Sequence, residues 1–378
     1  MSGQTEPKEA PPTGIKRYFD IHPPVFFPAT VLVFLFIGIT LWVGKPMEQI
    51  FSQVQNALSN NFGWFYVLAV NFYLLFVLYV AFSKYGSLRL GGEKAVPEFS
   101  RGAWFSMLFS AGMGIGILFW SVAEPIFHWA EPPVKAAGDI ENAQLAMETT
   151  FLHWGLHAWG IYSLVGMALA FFAFNRKMPL AIRSVFFPLF GKRVYGRLGD
   201  VIDVLAVLAT LFGLATSLGF GVQQISAGLA YLFGIEFGKG GLVVLVVVIT
   251  VLATMSVVSG LDKGVKRLSE INIYTGALLL VFLLVAGPTV FILDSYLQNI
   301  GKYLGNFFEQ VLWTESYRDT QWQNNWTVFY WAWWISWSPF VGMFIARISR
   351  GRTLREFVLS VLIIPSLLTF LWVTAFGG

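Results

Sequence analysis

The sequence predicts an all-α protein that crosses a lipid bilayer many times. Apolar residues make up 56% of the 378 residues and charged residues only 12%, and the mean hydropathy is +0.65. A soluble domain of this length needs far more polar surface to cover its core. Long apolar stretches recur along the whole chain. A helix of about 20 apolar residues is long enough to cross the roughly 30 Å hydrocarbon core of a bilayer.

Nine stretches have the length and composition of membrane-spanning helices. They are residues 25–44, 62–83, 103–128, 147–174, 200–233, 241–260, 271–293, 324–348 and 356–377. The stretch 200–233 is longer than one crossing needs, which predicts a helix that tilts or projects beyond the bilayer. The chain ends at Gly378, directly after the last stretch. An odd number of spans without a tail leads us to expect a C-terminally shortened chain.

The basic residues orient these spans. With the N-terminus in the cytoplasm and the sides alternating, twenty of the 25 Lys and Arg residues fall in cytoplasmic loops. An excess of this kind marks the cytoplasmic side of a membrane protein. Residues 1–20 are polar, contain prolines and lack the features of a cleaved signal peptide. We therefore expect a disordered cytoplasmic tail there.

The segment 296–312 is predicted to be helical without spanning the bilayer. Its apolar residues recur every three or four positions, while Asn299, Lys302, Asn306 and Glu309 fill the opposite face. This pattern predicts an amphipathic helix that lies on the outer membrane interface. The alternative is a loop helix that packs on the protein.

Several classes of function find no support in the sequence. The chain has no cysteine, which excludes disulfides and thiolate metal sites. His153 and His157 share a helix face, but no carboxylate stands beside them as in the metalloprotease pattern, so helix packing or a hydrogen bond is favoured over a metal. No nucleophile elbow, phosphate-binding loop or dinucleotide fingerprint indicates an enzyme. The net charge of +4 reflects loop residues and does not indicate a nucleic-acid partner.

Three alternating glycines interrupt the predicted span 103–128. Gly112, Gly114 and Gly116 each cost about 1 kcal/mol of helix stability relative to alanine. Transporters place broken helices of this kind at their binding sites, where freed amides bind anionic groups and freed carbonyls bind cations such as Na⁺. The alternative is close helix packing through small residues. The spacing alone does not decide between the two.

Two predicted spans carry aromatic residues on one face. At 100° per residue, three aromatic residues of 147–174 fall within an arc of about 140°, and three tryptophans of 324–348 within about 120°. They are Trp154, Trp159 and Tyr162 on the first span and Trp331, Trp334 and Trp337 on the second. Tryptophan usually belongs to an interfacial belt. Facing indoles can instead form a box for a quaternary ammonium group, since each cation–π contact contributes about 0.5–2 kcal/mol.

The position of the acids bears on the charge of such a ligand. Glu124 and Asp203 lie near span ends, and the middle of the aromatic spans lacks acids. A ligand with a net positive charge would need a buried carboxylate nearby. A zwitterion would not, because freed helix amides can bind its own carboxylate. The sequence therefore favours a betaine-like zwitterion over choline.

These features resemble the betaine/choline/carnitine transporter family. The most specific match is the run NWTVFYWAWW at 325–334, which continues as ISWSPF at 335–340. The glycine run, the stretch from 123 to His128, and the aromatic residues that follow His153 match as well. The resemblance covers the chain from about residue 15 onward.

The resemblance implies a fold of twelve spans with inverted repeats of the leucine-transporter type. The predicted organisation is a tail, two additional N-terminal helices, a first five-helix repeat, an amphipathic helix with its linker, and the start of a second repeat. The corresponding ranges are 1–20, 21–100, 101–293, 294–323 and 324–378. About nine of the twelve expected spans are present.

The resemblance also implies roles for individual residues. The aromatic box would be formed by Trp154, Trp159, Tyr162 and Trp334, with Trp333 assisting and Trp337 nearer the cytoplasm. The substrate-binding glycines would be Gly112, Gly114 and Gly116, and the gating aromatics Phe119 and Phe340.

Three further positions concern a coupling cation. Ser110 and Met113 lie where one helix of the family supplies backbone oxygens to Na⁺. Thr210 matches one hydroxyl of a second Na⁺ position seen in some members, but Leu214 occupies the place of the other. The resemblance thus implies Na⁺ as the coupling ion and no other cofactor.

The function implied is uptake of a quaternary ammonium compatible solute, glycine betaine above others, by Na⁺ symport with alternating access. In the family an aspartate at the position of Gly116 is associated with choline preference, so glycine there supports betaine. Proton-coupled choline uptake and carnitine/betaine exchange on the same fold are the alternatives, and a membrane enzyme or channel is a third reading. The expected setting is a homotrimer in a prokaryotic inner membrane.

Overall fold

The computed structural model describes residues 21–112, 114–134, 138–259, 266–318 and 320–378. Within these residues the regular elements are helices, and strand-like pairing is limited to one isolated bridge between Arg89 and Thr353. The prediction of an all-α protein is therefore confirmed. The helices are α1 (Pro23–Val43), α2 (Pro46–Phe82), α3 (Arg101–Gly112), α4 (Ile115–Ala130), α5 (Asp139–Trp154), α6 (Leu156–Ala170), α7 (Ile182–Val185), α8 (Phe187–Phe190), α9 (Arg197–Phe233), α10 (Lys239–Val258), α11 (Lys266–Ala286), α12 (Thr289–Gly305), α13 (Phe307–Val311), α14 (Phe329–Ile348) and α15 (Leu354–Gly377).

The described helices have the length and composition of a polytopic membrane protein. Six stretches are long and apolar enough to cross a bilayer singly, one of them the stretch Asp139–Asn175 that contains α5 and α6, and two bent pairs bring the total to as many as eight. Eight of the nine predicted spans fall in this set. The ninth, 324–348, forms α14 and the π-helical turn before it, but it does not reach the hydropathy of the others. Its many indole and phenol groups are amphipathic, with a polar atom on each ring.

Two predicted helix boundaries after the start of α11 differ from those in the structure. The span predicted at 271–293 ends at Ala286, and the chain bends by 111° before α12 begins at Thr289. The bend lies at Gly287 and Pro288, and a proline that lacks its N–H starts a new helix more readily than it continues one. The amphipathic helix predicted at 296–312 therefore begins earlier, and it ends in the short helix α13.

The amphipathic helix α12 packs on the protein with one side only. Asn299 and Tyr303 are buried there, next to α5 and α15. Leu297 and Leu304 remain more than half exposed. The packed face fits the alternative of a helix held on the protein, and the exposed apolar face fits a position at the membrane interface, which stays a prediction.

The span predicted at 147–174 is broken at Gly155. Helix α5 ends at Trp154 and α6 begins at Leu156, with Gly155 in a non-helical conformation between them. A Cβ atom at Gly155 would lie 2.6 Å from the ring of Phe370 and 2.5 Å from the carbonyl oxygen of Phe151. Only glycine fits this contact, so packing from α15 fixes the position of the break.

Helices α6 and α14 form the centre of the packed core. They cross where Gly342 of α14 lies against Val165 and Gly166 of α6. A Cβ atom at Gly342 would lie 2.7 Å from Val165 Cγ1 and 3.1 Å from the Gly166 nitrogen. Close approach of two backbones through glycine is a common way to pack membrane helices. This crossing sets the distance between the aromatic residues of α6 and α14.

We expect Gly342→Ala to destabilise the protein by about 1–3 kcal/mol, because the added methyl group overpacks the crossing. Gly228→Ala on α9 is the matched control, since a Cβ atom there meets nothing within 4 Å. That substitution should be neutral or stabilise the helix by up to about 1 kcal/mol. Thermal unfolding of the purified variants in one detergent measures both. Equal stability of the two variants would contradict the close crossing.

Candidate functional site

A cavity of about 800 Å³ lies between α3, α4, α6, α9, α10, α14 and α15, next to the end of α5. Its wall includes all nine residues that the sequence analysis named as substrate-binding. They are Gly112, Gly114, Gly116, Trp154, Trp159, Tyr162, Trp333, Trp334 and Trp337. Residues that lie far apart along the chain thus meet at one site, on helices from both predicted repeats.

The aromatic rings on this wall contact one another at right angles or stacked. The ring centroids of Trp154 and Trp334 are 4.9 Å apart with the planes at 74°, and those of Trp333 and Trp334 are 4.9 Å apart and stacked. Tyr162 meets Trp334 at 6.1 Å and Trp159 at 5.6 Å, both edge to face. Rings from α5, α6 and α14 therefore form one continuous aromatic surface on the cavity.

Two of these indoles donate hydrogen bonds to groups that do not line the cavity. Trp334 Nε1 donates to the carbonyl oxygen of His153 at 2.8 Å. Trp154 Nε1 donates to Glu124 Oε2 at 2.7 Å. Because each N–H is bonded within the protein, these two side chains are fixed in place and their remaining contacts with a ligand are made through the ring.

The glycine run forms both a break and a close contact. Helix α3 ends at Gly112 and α4 begins at Ile115, with a bend of 60° between the two helices. A Cβ atom at Gly112 would lie 2.6 Å from the ring of Trp159, and one at Gly116 would lie 3.1 Å from Trp333 and 3.3 Å from Trp154. Both alternatives for these glycines are thus realised together. The first amide groups of α4, which have no acceptor in their own helix, lie beside the cavity.

Some of the residues predicted to act in gating or cation binding line the cavity, and others do not. Phe340 and Ser110 line the cavity. Phe119 does not line it, because its ring stacks on Phe220 at 5.9 Å. Met113 lies outside the described residues.

Thr210 also lies away from the cavity wall. Its hydroxyl donates to the carbonyl oxygen of Ala206 at 2.9 Å, one turn back in α9. Leu214, one turn further along α9, reaches the cavity instead. The one hydroxyl that matched a second Na⁺ position, that of Thr210, is therefore not on this wall.

A buried carboxylate that the sequence analysis placed near a span end lies directly behind the aromatic wall. Glu124 is fully buried, and its Oε1 accepts from His153 Nδ1 at 2.6 Å and from His128 Nε2 at 3.1 Å. Its Oε2 accepts from Trp154 Nε1 and from the Tyr330 hydroxyl. The aromatic spans themselves carry no acid at their middle, as predicted, but the Glu124 carboxylate of α4 reaches the far side of the aromatic wall from its own helix. The only sequence signal was the spacing of Glu124 and His128, one helical turn apart.

Glu124, His128 and His153 also form the type of donor set that binds a transition metal. Their separations favour hydrogen bonding. Two ligands of one zinc ion, each about 2.0–2.2 Å from it in tetrahedral geometry, lie well over 3 Å apart, whereas Glu124 Oε1 and His153 Nδ1 are 2.6 Å apart.

His157 does not join His153. Its Nε2 lies 3.1 Å from Asn71 Oδ1 on α2, and its ring stacks on Phe307 at 5.5 Å. The hydrogen bond and the packing that the sequence analysis favoured for these histidines are what the structure shows.

Comparison with known proteins places this site in a family context. A family model for betaine/carnitine/choline family transporters matches residues 24–378. The chain is 46% identical over 362 residues to a glycine betaine transporter of Acinetobacter baylyi, covering 96% of this chain. It is 44% identical over 354 residues to a probable glycine betaine transporter of Desulfitobacterium hafniense, covering 94% of this chain. It is 46% identical over 377 residues to a glycine betaine/proline/choline transporter of Vibrio parahaemolyticus, covering 95% of this chain.

The relatives are longer than this chain. The matched region spans 55% of the Acinetobacter protein, 71% of the Desulfitobacterium protein and 68% of the Vibrio protein.

We expect Glu124→Gln to destabilise the protein by about 2–4 kcal/mol. A neutral amide keeps one acceptor and adds an N–H that faces other donors, and a hydrogen bond to a charged group contributes about 1.5–3 kcal/mol. Glu131→Gln is the matched control, since Glu131 is exposed just after the same helix. Thermal unfolding compares the two variants. If Glu124→Gln were as stable as Glu131→Gln, the hydrogen bonds of the buried carboxylate would not stabilise the packing around the aromatic wall.

Proposed function

The chain belongs to the betaine/carnitine/choline family, whose members are membrane transporters and not enzymes, and from this premise we propose that it takes up glycine betaine by Na⁺ symport with alternating access. One observation carries the proposal: aromatic side chains from α5, α6 and α14 line a single cavity whose described lining residues include no Asp or Glu. Such a wall suits a methylated ammonium group that cannot donate hydrogen bonds.

The cavity also suits the carboxylate of a betaine-like zwitterion. Helix α4 begins at its wall, and the amino end of a helix carries a partial positive charge that favours anions. Gly116 lies so close to Trp154 and Trp333 that a carboxylate-bearing side chain at this position would displace an indole. In the family an aspartate there is associated with choline preference, so the glycine at position 116 supports betaine.

Choline is the second candidate, because two relatives from Vibrio parahaemolyticus carry choline as well as glycine betaine in their names. Choline uptake coupled to protons, or carnitine/betaine exchange, would use the same aromatic wall. Competition of each compound with labelled betaine separates these alternatives. Displacement by choline at a lower concentration than by unlabelled betaine would favour the choline assignment.

The position of Ser110 is the basis for proposing Na⁺ as the coupling ion. Ser110 lines the cavity one turn or less before the break between α3 and α4. A broken helix of this kind frees backbone oxygens that can bind Na⁺. The positive-inside pattern supports an N-terminus in the cytoplasm and a position in the inner membrane. The repeat organisation and the homotrimer stay predictions.

The direct test is labelled betaine uptake into cells or vesicles that carry the protein, with Na⁺ outside or with K⁺ in its place. We expect saturable uptake that requires Na⁺ and that unlabelled betaine competes away. Saturable uptake that proceeds equally in K⁺ would reject Na⁺ coupling and leave the substrate assignment intact. Betaine flux that does not saturate would reject a transporter in favour of a channel.

We expect Trp334→Ala to weaken betaine binding at least tenfold, since it removes a cation–π contact of up to about 2 kcal/mol and the neighbour of two other rings. Trp42→Ala is the matched control, because Trp42 is 87% exposed on α1, away from the cavity. Isothermal titration of both purified variants gives the affinities. If Trp334→Ala bound betaine as tightly as the control, the aromatic wall would not be the substrate site.

A further inference from the structure

Thr369 of α15 stands out among the serine and threonine hydroxyls on the cavity wall. Five side chains there carry a hydroxyl on Ser or Thr, and they are Ser110, Ser217, Thr250, Thr254 and Thr369. Thr250 and Thr254 each donate to a carbonyl oxygen one turn back in α10, at 2.8 and 2.7 Å. Of the other three, only Thr369 is more than nine-tenths buried, with 4% of its surface exposed.

The Thr369 hydroxyl has no hydrogen-bond partner among the described residues. A threonine inside a helix commonly donates to the carbonyl four residues back, and Thr374 of the same helix does so to Phe370 at 2.8 Å. Thr369 does not make that bond, and its side chain lies on the cavity wall instead. The residue is buried, but its oxygen is not sealed inside the protein, so the hydroxyl is available to bond a group that is held in the cavity.

Thr369 shares the cavity wall with the first turns of two helices, α4 and α6. The next residue, Phe370, stacks on Phe151 at 4.1 Å and fills the space beside Gly155, where α5 ends and α6 begins. Ala158, in the first turn of α6, lines the same cavity as Gly116 in the first turn of α4. The first amide groups of both helices lack acceptors in their own helices, and their dipoles make this end of the cavity electropositive.

We propose that the Thr369 hydroxyl donates a hydrogen bond to the carboxylate of the bound zwitterion. This inference rests on the proposed function and names the group that recognises the anionic end of the substrate. The ammonium end lies against the indole rings, and the carboxylate lies where α4 and α6 begin. Thr369 thereby distinguishes a betaine, which has a carboxylate, from a quaternary ammonium ion that has none.

The test compares two ligands on matched variants of the whole chain. Isothermal titration gives the affinity for glycine betaine and for tetramethylammonium, which has the same charged head and no carboxylate. Thr369→Val keeps the shape of the side chain and removes the donor. We expect it to weaken betaine binding about tenfold or more, as for the loss of one bond to a charged group, and to leave tetramethylammonium binding unchanged. Thr369→Ser, which keeps the hydroxyl, should bind betaine within a few-fold of the unmodified chain.

Thr374→Val is the control for a change made within α15, since its hydroxyl is already bonded to Phe370 and does not line the cavity. It should bind both ligands as the unmodified chain does. Equal weakening of both ligands by Thr369→Val would make Thr369 a packing residue and overturn the inference. Unchanged betaine affinity in Thr369→Val would overturn it as well. An unmodified chain that binds tetramethylammonium but not betaine would instead reject the proposed betaine function, and the role of Thr369 with it.

Discussion

The hydrogen bonds that Trp154 and Trp334 make behind the cavity are the constraint on which the site depends. An indole has a polar N–H and an apolar ring, and a buried N–H needs an acceptor. Glu124 and the backbone of His153 supply these acceptors on the side away from the cavity. The N–H groups of these two indoles are thereby satisfied inside the protein, so Trp154 and Trp334 present their rings to a ligand. A methylated cation needs a surface of this kind.

Two interruptions of helical structure lie beside that surface, one between α3 and α4 and one at Gly155. At each interruption an aromatic ring fills the space that a side chain larger than glycine would need. The ring is that of Trp159 at Gly112 and that of Phe370 at Gly155. The same packing that excludes larger residues thus exposes backbone amides to the cavity. At each of these two glycines an aromatic contact therefore lies beside helix amides that have no acceptor in their own helix.

Much of this arrangement could be predicted from the sequence, but not the parts that depend on distant contacts. The spans were predicted because apolar length is a local property, and the aromatic wall because Trp154, Trp159 and Trp334 recur at helical spacing within a run that resembles a known family. The Glu124 network was missed because its partners His153 and Tyr330 lie 29 and 206 positions away. The break at Gly155 was missed because one glycine in an apolar helix is unremarkable until Phe370 packs against it.

The location of Glu124 places an acid next to the aromatic wall without exposing it in the cavity, which is compatible with the proposed zwitterionic substrate. A carboxylate on the wall would attract the ammonium group and repel the carboxylate of the same ligand at short range. Glu124 instead accepts donors from four side chains, so its charge is compensated where it lies. Hydrogen bonds to a charged group polarise the donor, and here one donor is the indole of Trp154. The acid therefore makes that ring more negative, which strengthens its attraction for a cation, while the described lining residues include no carboxylate that would repel the anionic end of the proposed substrate.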